Sequence, residues 1–413
     1  MIQHFDRISD TAIRWCIYAI VFAAPFSKSI SEVAIALAVV LWILRKIIKR
    51  DYGLAKTELN IPLLLVVITV LFSLFNSAYP ALSIKAFFTK MLKYVALYFV
   101  IVESFDTRSK IRGLFIIALI SMAIIMLDGF FQYYSGFDFL HLPSYPSFKA
   151  RPVSDGQGFF RGFPTACFPY PNDLAAWILL AILPVACATM FDLGGKRVRY
   201  FTGIITAGLS VLFFLTKTRG AWIGLALSVI YIALLKNKMW LILVLILVLA
   251  VPFFLKTEMS GYIFSLSSVG DRMNMWTTAF KIYKDHPVIG NGLNTFFVNF
   301  KKYRNDEFKD KRGSYAHNCY LQMACDTGAL GLAAFLWFVF SYFRSVGTAL
   351  KNTKDPLFNS VLWGMSIGIF AFLVHSFFDT NLYSLNLVTL FWTAVAISQS
   401  IIRVFGREGL GAA

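Results

Sequence analysis

Residues 384–402 read SLNLVTLFWTAVAISQSII, a stretch without a charged side chain. Because a helix needs about 20 predominantly apolar residues to cross the hydrocarbon core of a membrane, this stretch predicts a membrane span. Similar apolar runs, bounded by charges or by Pro and Gly, recur along the chain. They predict twelve spans, which begin near Ile13, Ser31, Ile61, Phe87, Leu114, Leu174, Gly203, Ala221, Met239, Leu330, Phe358 and Ser384.

The composition agrees with this interpretation. Of the 413 residues, 58% are hydrophobic and 15% are charged, whereas soluble domains carry roughly 25% charged residues. A net charge of +17 would indicate nucleic-acid binding in a soluble protein, but in a membrane protein basic residues mark cytoplasmic loops. We therefore expect an all-α integral membrane protein that binds no nucleic acid.

The basic residues predict the orientation of the chain. Lys and Arg follow every even-numbered span, in the segments 45–56, 108–112, 196–199, 236–238, 344–354 and 403–407. By the positive-inside rule, both termini are cytoplasmic and the exits of the odd-numbered spans face outward. The expected division is 1–255 with helices one to nine and an outward loop near 135–172, a large outward loop over 256–316, and 317–413 with helices ten to twelve and a short tail.

The large loop is expected to be partly helical. The stretch from Arg272 to Tyr283 predicts an amphipathic helix with Arg272, Trp276 and Ala279 on one face. Asp271 is expected to cap its start, and Pro287 to end it.

Three basic residues lie on the outward side, where topology does not require them: Arg219, Arg272 and His317. Arg219 follows Lys217 in a tight turn at the start of the eighth helix, where free N–H groups and the helix dipole favour an anion. Arg219 could instead snorkel to lipid headgroups, but its place in so short a turn favours an anion site. A packed stem or a salt bridge is the alternative for Arg272. His317 can accept a proton near neutral pH, although most lone histidines are structural.

Other polar residues have two readings each. Lys90 and Lys93 share one side of the fourth span, where they either snorkel to the surface or extend an anion site. Asn172 or Asp173 is expected to cap the sixth span. The first long loop adds Arg151 and Arg161.

His375 and Asp379 lie one turn apart at the end of the eleventh span. They could therefore pair with each other or with an arginine.

The motifs of several enzyme classes are missing from the sequence. There is no P-loop, no HExxH or cysteine cluster and no Gly-x-Ser-x-Gly. We therefore expect neither nucleotide nor metal chemistry and no cofactor. A pairing between Cys167 and Cys319, which both fall in outward loops, stays open.

Three segments resemble the bacterial O-antigen ligase and polymerase superfamily. They are Thr218-Arg219-Gly220, then Gly270-Asp271-Arg272-Met273 through Pro287 and Gly290 to Gly292, and His317-Asn318 followed after nine residues by Gly328-Ala329-Leu330-Gly331. The third segment is the most specific, and the order of all three along about twelve spans extends the resemblance over nearly the whole chain.

The resemblance implies metal-independent, inverting glycosyl transfer on the periplasmic side of the inner membrane. The donor would be O-antigen on undecaprenyl diphosphate, and the acceptor would be a sugar hydroxyl of lipid A-core. The protein would also contact the surrounding membrane lipids. His317 would be the general base or would orient the acceptor, while Arg219 and Arg272 would hold the diphosphate. Lesser candidates for the same site are Lys93, Arg161, Lys217 and Asn318.

An O-antigen polymerase is the nearest alternative, since it uses the same donor with a second lipid-linked glycan as acceptor. Polymerases carry an Arg, ten residues, Gly pattern in two outward loops. Arg151 and Gly162 fit it once, but Tyr283 stands at that spacing after Arg272. A protein-directed oligosaccharyltransferase and a lipid-linked glycan flippase are further alternatives.

Overall fold

The computed structural model describes residues 2–135, 140, 163–190, 195–235, 266–304, 315–352 and 355–411. Within these ranges the chain is helical and contains no strand. The helices are α1 (Ile2–Ala23), α2 (Lys28–Lys49), α3 (Asn60–Phe75), α4 (Pro80–Ala86), a π-helical segment (Phe87–Leu92), α5 (Lys93–Ser104), α6 (Arg108–Ser135), α7 (Pro171–Met190), α8 (Gly195–Leu215), α9 (Arg219–Leu235), α10 (Leu266–Asp285), α11 (Phe296–Tyr303), α12 (Cys319–Asn352), α13 (Pro356–His375), a 3₁₀ turn (Asn381–Tyr383) and α14 (Leu385–Gly411).

The expected membrane spans coincide with helices. Every expected start except Met239, which falls outside the described residues, lies within or beside a helix. Five helices in the described ranges, α6, α7, α8, α12 and α14, are long and apolar enough to cross a membrane, and α3, α9 and α13 are shorter apolar helices. The all-helical class is thus confirmed, while the number of twelve spans stays a prediction.

Ion pairs gather several helix ends at one end of the bundle. Arg45 at the end of α2 bonds Asp6 at 2.6 Å and Asp10 at 3.3 Å, both near the start of α1. Lys110 at the start of α6 also pairs with Asp10, at 3.0 Å. Such partly exposed pairs contribute about 0–1 kcal/mol each. They join the ends that the sequence predicts to be cytoplasmic, so the site must be sought at the opposite end.

Small residues allow α13 to pack closely between α7 and α9. A β-carbon at Gly364 of α13 would collide with the backbone of Pro184 in α7. On the other side, a β-carbon at Gly224 of α9 would lie 2.6 Å from the carbonyl oxygen of Ala371 in α13. Glycine is the residue that permits such close approach of helix backbones in membranes. The contact holds the starts of α7 and α9 beside the end of α13.

The helix predicted at Arg272–Tyr283 is part of the longer α10. Asp271 was expected to cap this helix, and that prediction is wrong, because α10 begins at Leu266 and Asp271 lies inside it. The predicted face does pack inward. Ala279 is fully buried, and the ring of Trp276 lies 5.7 Å from that of Phe377, measured between centroids.

The segment after α10 binds to a kink in α12. Gly328, inside α12, has a φ of 70° and a non-helical ψ of −173°. The N–H of Asn291 donates to the carbonyl of Cys325 at 2.9 Å, and a β-carbon at Gly328 would collide with the carbonyl of Val288. Two constraints therefore demand glycine at position 328: the backbone conformation and the close approach of a second chain segment.

Candidate functional site

A cavity of about 840 Å³ lies at the end of the bundle opposite the ion pairs. Its polar lining residues include Lys28, Lys90, Asn172, Asp173, Lys217, His317 and Asp379. Its apolar lining residues include Val66 and Val70 of α3, Phe335 of α12, and Val388, Phe391 and Trp392 of α14. A cavity lined by both charged and apolar side chains suits an amphipathic ligand.

His317 lines this cavity from the segment that precedes α12. Its φ of 49° lies in the left-handed region, which non-glycine residues seldom adopt and which concentrates at functional sites. The next residue, Asn318, fixes the helix start: its Oδ1 accepts from the N–H groups of Tyr320 and Leu321, both at 3.0 Å. Asn318 is buried and is not among the residues that line the cavity, so its observed role is to cap α12.

The side chain of His317 is 41% exposed, and its Nδ1 lies 3.3 Å from Oδ1 of Asp379. Burial raises the pKa of the Asp379 carboxyl, but the hydrogen bond from His317, the charges of His375 and His317, and the N–H of Thr380 outweigh burial and hold the pKa below its usual range. An ionised carboxylate can only accept. Nδ1 of His317 must therefore donate to it, which leaves the lone pair of a neutral ring on Nε2.

His375 and Asp379 were predicted to pair with each other or with an arginine; they share no hydrogen bond, although their charges act on each other. Helix α13 ends at His375, so Asp379 is not one turn further along the same helix. The ring of His375 instead lies 3.1 Å from Nδ2 of Asn381. Asp379 is thus a site residue whose partner the sequence did not reveal.

Asn172 also differs from its prediction as a helix cap. Its Nδ2 donates to Oδ2 of Asp379 at 2.6 Å, and its Oδ1 accepts from the hydroxyl of Thr218 at 3.2 Å. The side chain therefore connects two other segments of the site.

Among the described residues, three lysines line the cavity. Lys217, in the turn between α8 and α9, has a left-handed φ of 52°, and its Nζ lies 4.9 Å from the ring centroid of Phe163. Lys90, in the π-helical segment, donates from Nζ to Oδ1 of Asn294 at 2.7 Å. Lys28 begins α2. Lys28 was not among the candidate residues, although the positive-inside rule that selected Arg219 also predicts Lys28 on the outward side.

Arg219 and Arg272 are half-buried and are not among the described residues that line the cavity. Arg219 begins α9, and a β-carbon on the next residue, Gly220, would lie 2.9 Å from Phe378 and 3.0 Å from the ring of His375. Arg272 lies close enough to His375 for its charge to act on the ring. Both arginines thus belong to elements that surround the segment leading to Asp379.

Lys93 and Arg161 are the two remaining cationic candidates. Lys93 forms an ion pair with Glu32, at 2.6 Å from Nζ to Oε1 and 2.8 Å to Oε2, so its charge is already balanced. Arg161 lies outside the described residues, as do Arg151 and Gly162 of the polymerase-like pattern.

In the described ranges, no group of three or more His, Cys, Asp and Glu residues is placed to hold a metal ion. Cys167 and Cys319 are both buried, and no disulfide joins them. The thiol of Cys319 donates to the backbone carbonyl of Asp379 at 3.2 Å, which helps to fix the loop that carries the site carboxylate.

Comparison with known proteins identifies a family. Residues 204–336 match the family model described as O-antigen ligase, and this range contains Arg219, Arg272 and His317. No curated protein matches the chain. The matched range runs from α8 into α12, and the match supports membership of the O-antigen ligase/polymerase superfamily.

Proposed function

We propose that the protein is an O-antigen ligase, which transfers a glycan from undecaprenyl diphosphate to a sugar hydroxyl of lipid A-core on the periplasmic face of the inner membrane. One observation carries this proposal: His317, held by Asp379, lines a cavity that both charged and apolar side chains line. The family match supports the class of reaction.

The proposed reaction needs a base for the acceptor. The acceptor hydroxyl oxygen bonds to the anomeric carbon of the donor while the bond from that carbon to the diphosphate oxygen breaks. The hydroxyl proton passes to Nε2 of His317, and the diphosphate leaves with the bonding electron pair. Attack from the side opposite the leaving group inverts the anomeric centre. Asp379 stabilises the imidazolium that forms, and general-base catalysis of this kind supplies about 10²- to 10⁴-fold in rate.

The diphosphate leaves with negative charge, which cations must offset. Lys28, Lys90 and Lys217 line the cavity that holds His317 and are proposed to contact the donor. Arg219 and Arg272 are proposed as further diphosphate ligands, because they lie on elements around the segment that leads to Asp379. Lys93 and Arg161 remain weaker proposals, since Lys93 is paired with Glu32.

The apolar lining residues support a lipid-linked donor. Phe335, Val388 and Trp392 are among them, and they would contact the prenyl chain. The lysines of the same cavity would contact the diphosphate.

The test is reconstitution of the purified full chain in liposomes with undecaprenyl-diphosphate-linked glycan and lipid A-core. The proposal predicts that glycan appears on lipid A-core. Longer polyprenyl-linked chains without capped lipid A-core would show a polymerase instead. Movement of the donor across the bilayer without a new bond would show a transporter.

A further inference from the structure

Asn172 joins three segments that are distant in the sequence. It lies one residue after Pro171, at the start of α7. Its amide donates to Oδ2 of Asp379 at 2.6 Å, and its carbonyl accepts from the hydroxyl of Thr218 at 3.2 Å. The bonds run in one chain from Thr218 through Asn172 and Asp379 to His317.

We propose that Asn172 is a positioning residue, which holds the Asp379 carboxylate against His317 and ties it to the turn that carries Lys217 and Arg219. This inference rests on the proposed function, because it assigns Asn172 a task in the same transfer reaction. Asn172 acts through Asp379 and Thr218 rather than on the reacting atoms.

The bonds on Asp379 explain why its orientation depends on Asn172. Oδ1 accepts from His317 and, at 2.8 Å, from the N–H of Thr380. Oδ2 accepts from Asn172 over the shortest of these distances, 2.6 Å, which is typical of a bond to an ionised acceptor. With both oxygens held, the plane of the carboxylate is fixed, and so is the imidazole that donates to it. Loss of the Asn172 bond frees the carboxylate to rotate away from His317.

The amide can make both bonds at once. It donates to Asp379 and accepts from the hydroxyl of Thr218, which also lies 3.4 Å from the carbonyl of Thr216. A carboxylate at position 172 would accept only, and it would add a like charge beside Asp379. Glutamine would keep both functions but would shift them by one methylene.

The bond to Thr218 connects the base to the cationic turn. Thr218 is buried, and it stands between Lys217, which lines the cavity, and Arg219, which begins α9. A displacement of this turn is therefore passed through Asn172 to Asp379. The His317–Asp379 pair and the turn that carries Lys217 are therefore held in place together.

The experiment compares Asn172→Ala and Asn172→Asp with the unaltered chain in the reconstituted system, with capped lipid A-core and extended polyprenyl-linked glycan both counted as product. We expect kcat to fall roughly ten- to hundred-fold, as for loss of a hydrogen bond to a charged group, while the KM for the donor stays within about two-fold. In the Asp379→Ala background, Asn172→Ala should cause a clearly smaller loss than in the unaltered chain, because one of its two partners is already gone.

Asn60→Ala is the matched control. Asn60 also accepts from a threonine hydroxyl, that of Thr57 at 2.6 Å, and donates to an oxygen, the carbonyl of Ala55 at 2.9 Å. It begins α3, away from the cavity, so this variant should transfer glycan at the unaltered rate.

Three outcomes would overturn the inference: an unaltered kcat in Asn172→Ala, a raised donor KM with unaltered kcat, or fully additive losses in the double variant. Failure of the proposed function looks different, since the unaltered chain would then form neither product. For that case, the rate at which diethyl pyrocarbonate modifies the His317 imidazole is measured by mass spectrometry. Asn172→Ala should slow it at least about three-fold as Asp379 loses its hold, and equal rates would refute the positioning role.

Discussion

His317 and Asp379 lie 62 positions apart in the sequence, yet their side chains are 3.3 Å apart. The choice of His317 followed from chemistry, since a histidine is the side chain that titrates near neutral pH. Its partner could not be predicted, because the expected pairing of Asp379 assumed a helix that continues past His375. Helix α13 ends there, and only the fold of the following loop brings Asp379 to His317.

Arg219 tests the proposed diphosphate contact. Lysine at this position keeps the charge but loses the two-pronged guanidinium geometry. We expect Arg219→Ala to lower kcat/KM by about 100-fold and Arg219→Lys by a smaller factor, measured as initial rates of glycan transfer. Lys196→Ala, an exposed basic residue at the start of α8, is the control and should retain its rate. If both Arg219 variants matched that control, the diphosphate assignment would be wrong.

Asp379 tests the electrostatics of the pair through pH. Its pKa in the folded protein is below the usual value, so its ionisation stabilises the fold at pH values above the unfolded pKa of about 3.9, and the stabilisation is lost as the pH falls through the folded pKa. We expect Asp379→Asn to unfold at a lower temperature than the unaltered chain at pH 7, with a gap that narrows below about pH 4. Thermal unfolding in detergent at several pH values measures this gap. A gap that does not change with pH would contradict the assigned pairing.

Helices were the most predictable elements, because their apolar runs are local in the sequence. The start of α10 was missed, since Asp271 is a good capping residue by type but lies inside the helix that begins at Leu266. The kink of α12 at Gly328 was also beyond local patterns. It depends on contact with the segment around Val288, which is distant in the sequence.

Gly328 and Gly347 provide a matched pair within α12. Gly328 has a backbone conformation reserved for glycine and touches the Val288 carbonyl, whereas a β-carbon at Gly347 would meet nothing within 4 Å. We expect Gly328→Ala to cost about 3 kcal/mol of stability, and Gly347→Ala to be neutral or stabilising by up to about 1 kcal/mol. Thermal unfolding of the two variants compares them directly. Similar midpoints would disprove the argument that the kink requires glycine.

The net charge of +17 divides between the two ends of the bundle. At one end, which the sequence predicts to be cytoplasmic, Arg45 and Lys110 pair with acidic residues. At the other end, Lys28, Lys90 and Lys217 line the cavity. The sequence predicts a cationic outward site. It does not predict which basic residues line the cavity, because that depends on which helix starts pack together.

Labelling of single cysteines tests this division. We expect a membrane-impermeant maleimide to modify Val288→Cys in cells with a permeabilised outer membrane, since Val288 is exposed and lies at the cavity end. Asp51→Cys, exposed after α2 at the opposite end, should react only once the inner membrane is opened. The unaltered chain, whose five cysteines are buried or half-buried, gives the background. The reverse pattern would invert the proposed orientation.

The most direct measurement is the initial rate of glycan transfer to lipid A-core by the reconstituted chain and its His317→Ala variant. Loss of the base should reduce this rate by at least about 100-fold. His286→Ala is the control, because the ring of His286 lies 3.2 Å from the Asn76 amide and is not among the residues that line the cavity. We expect His286→Ala to retain transfer and His317→Ala to lose transfer. Equal rates of transfer in the two variants would contradict the proposed role of His317 as the base.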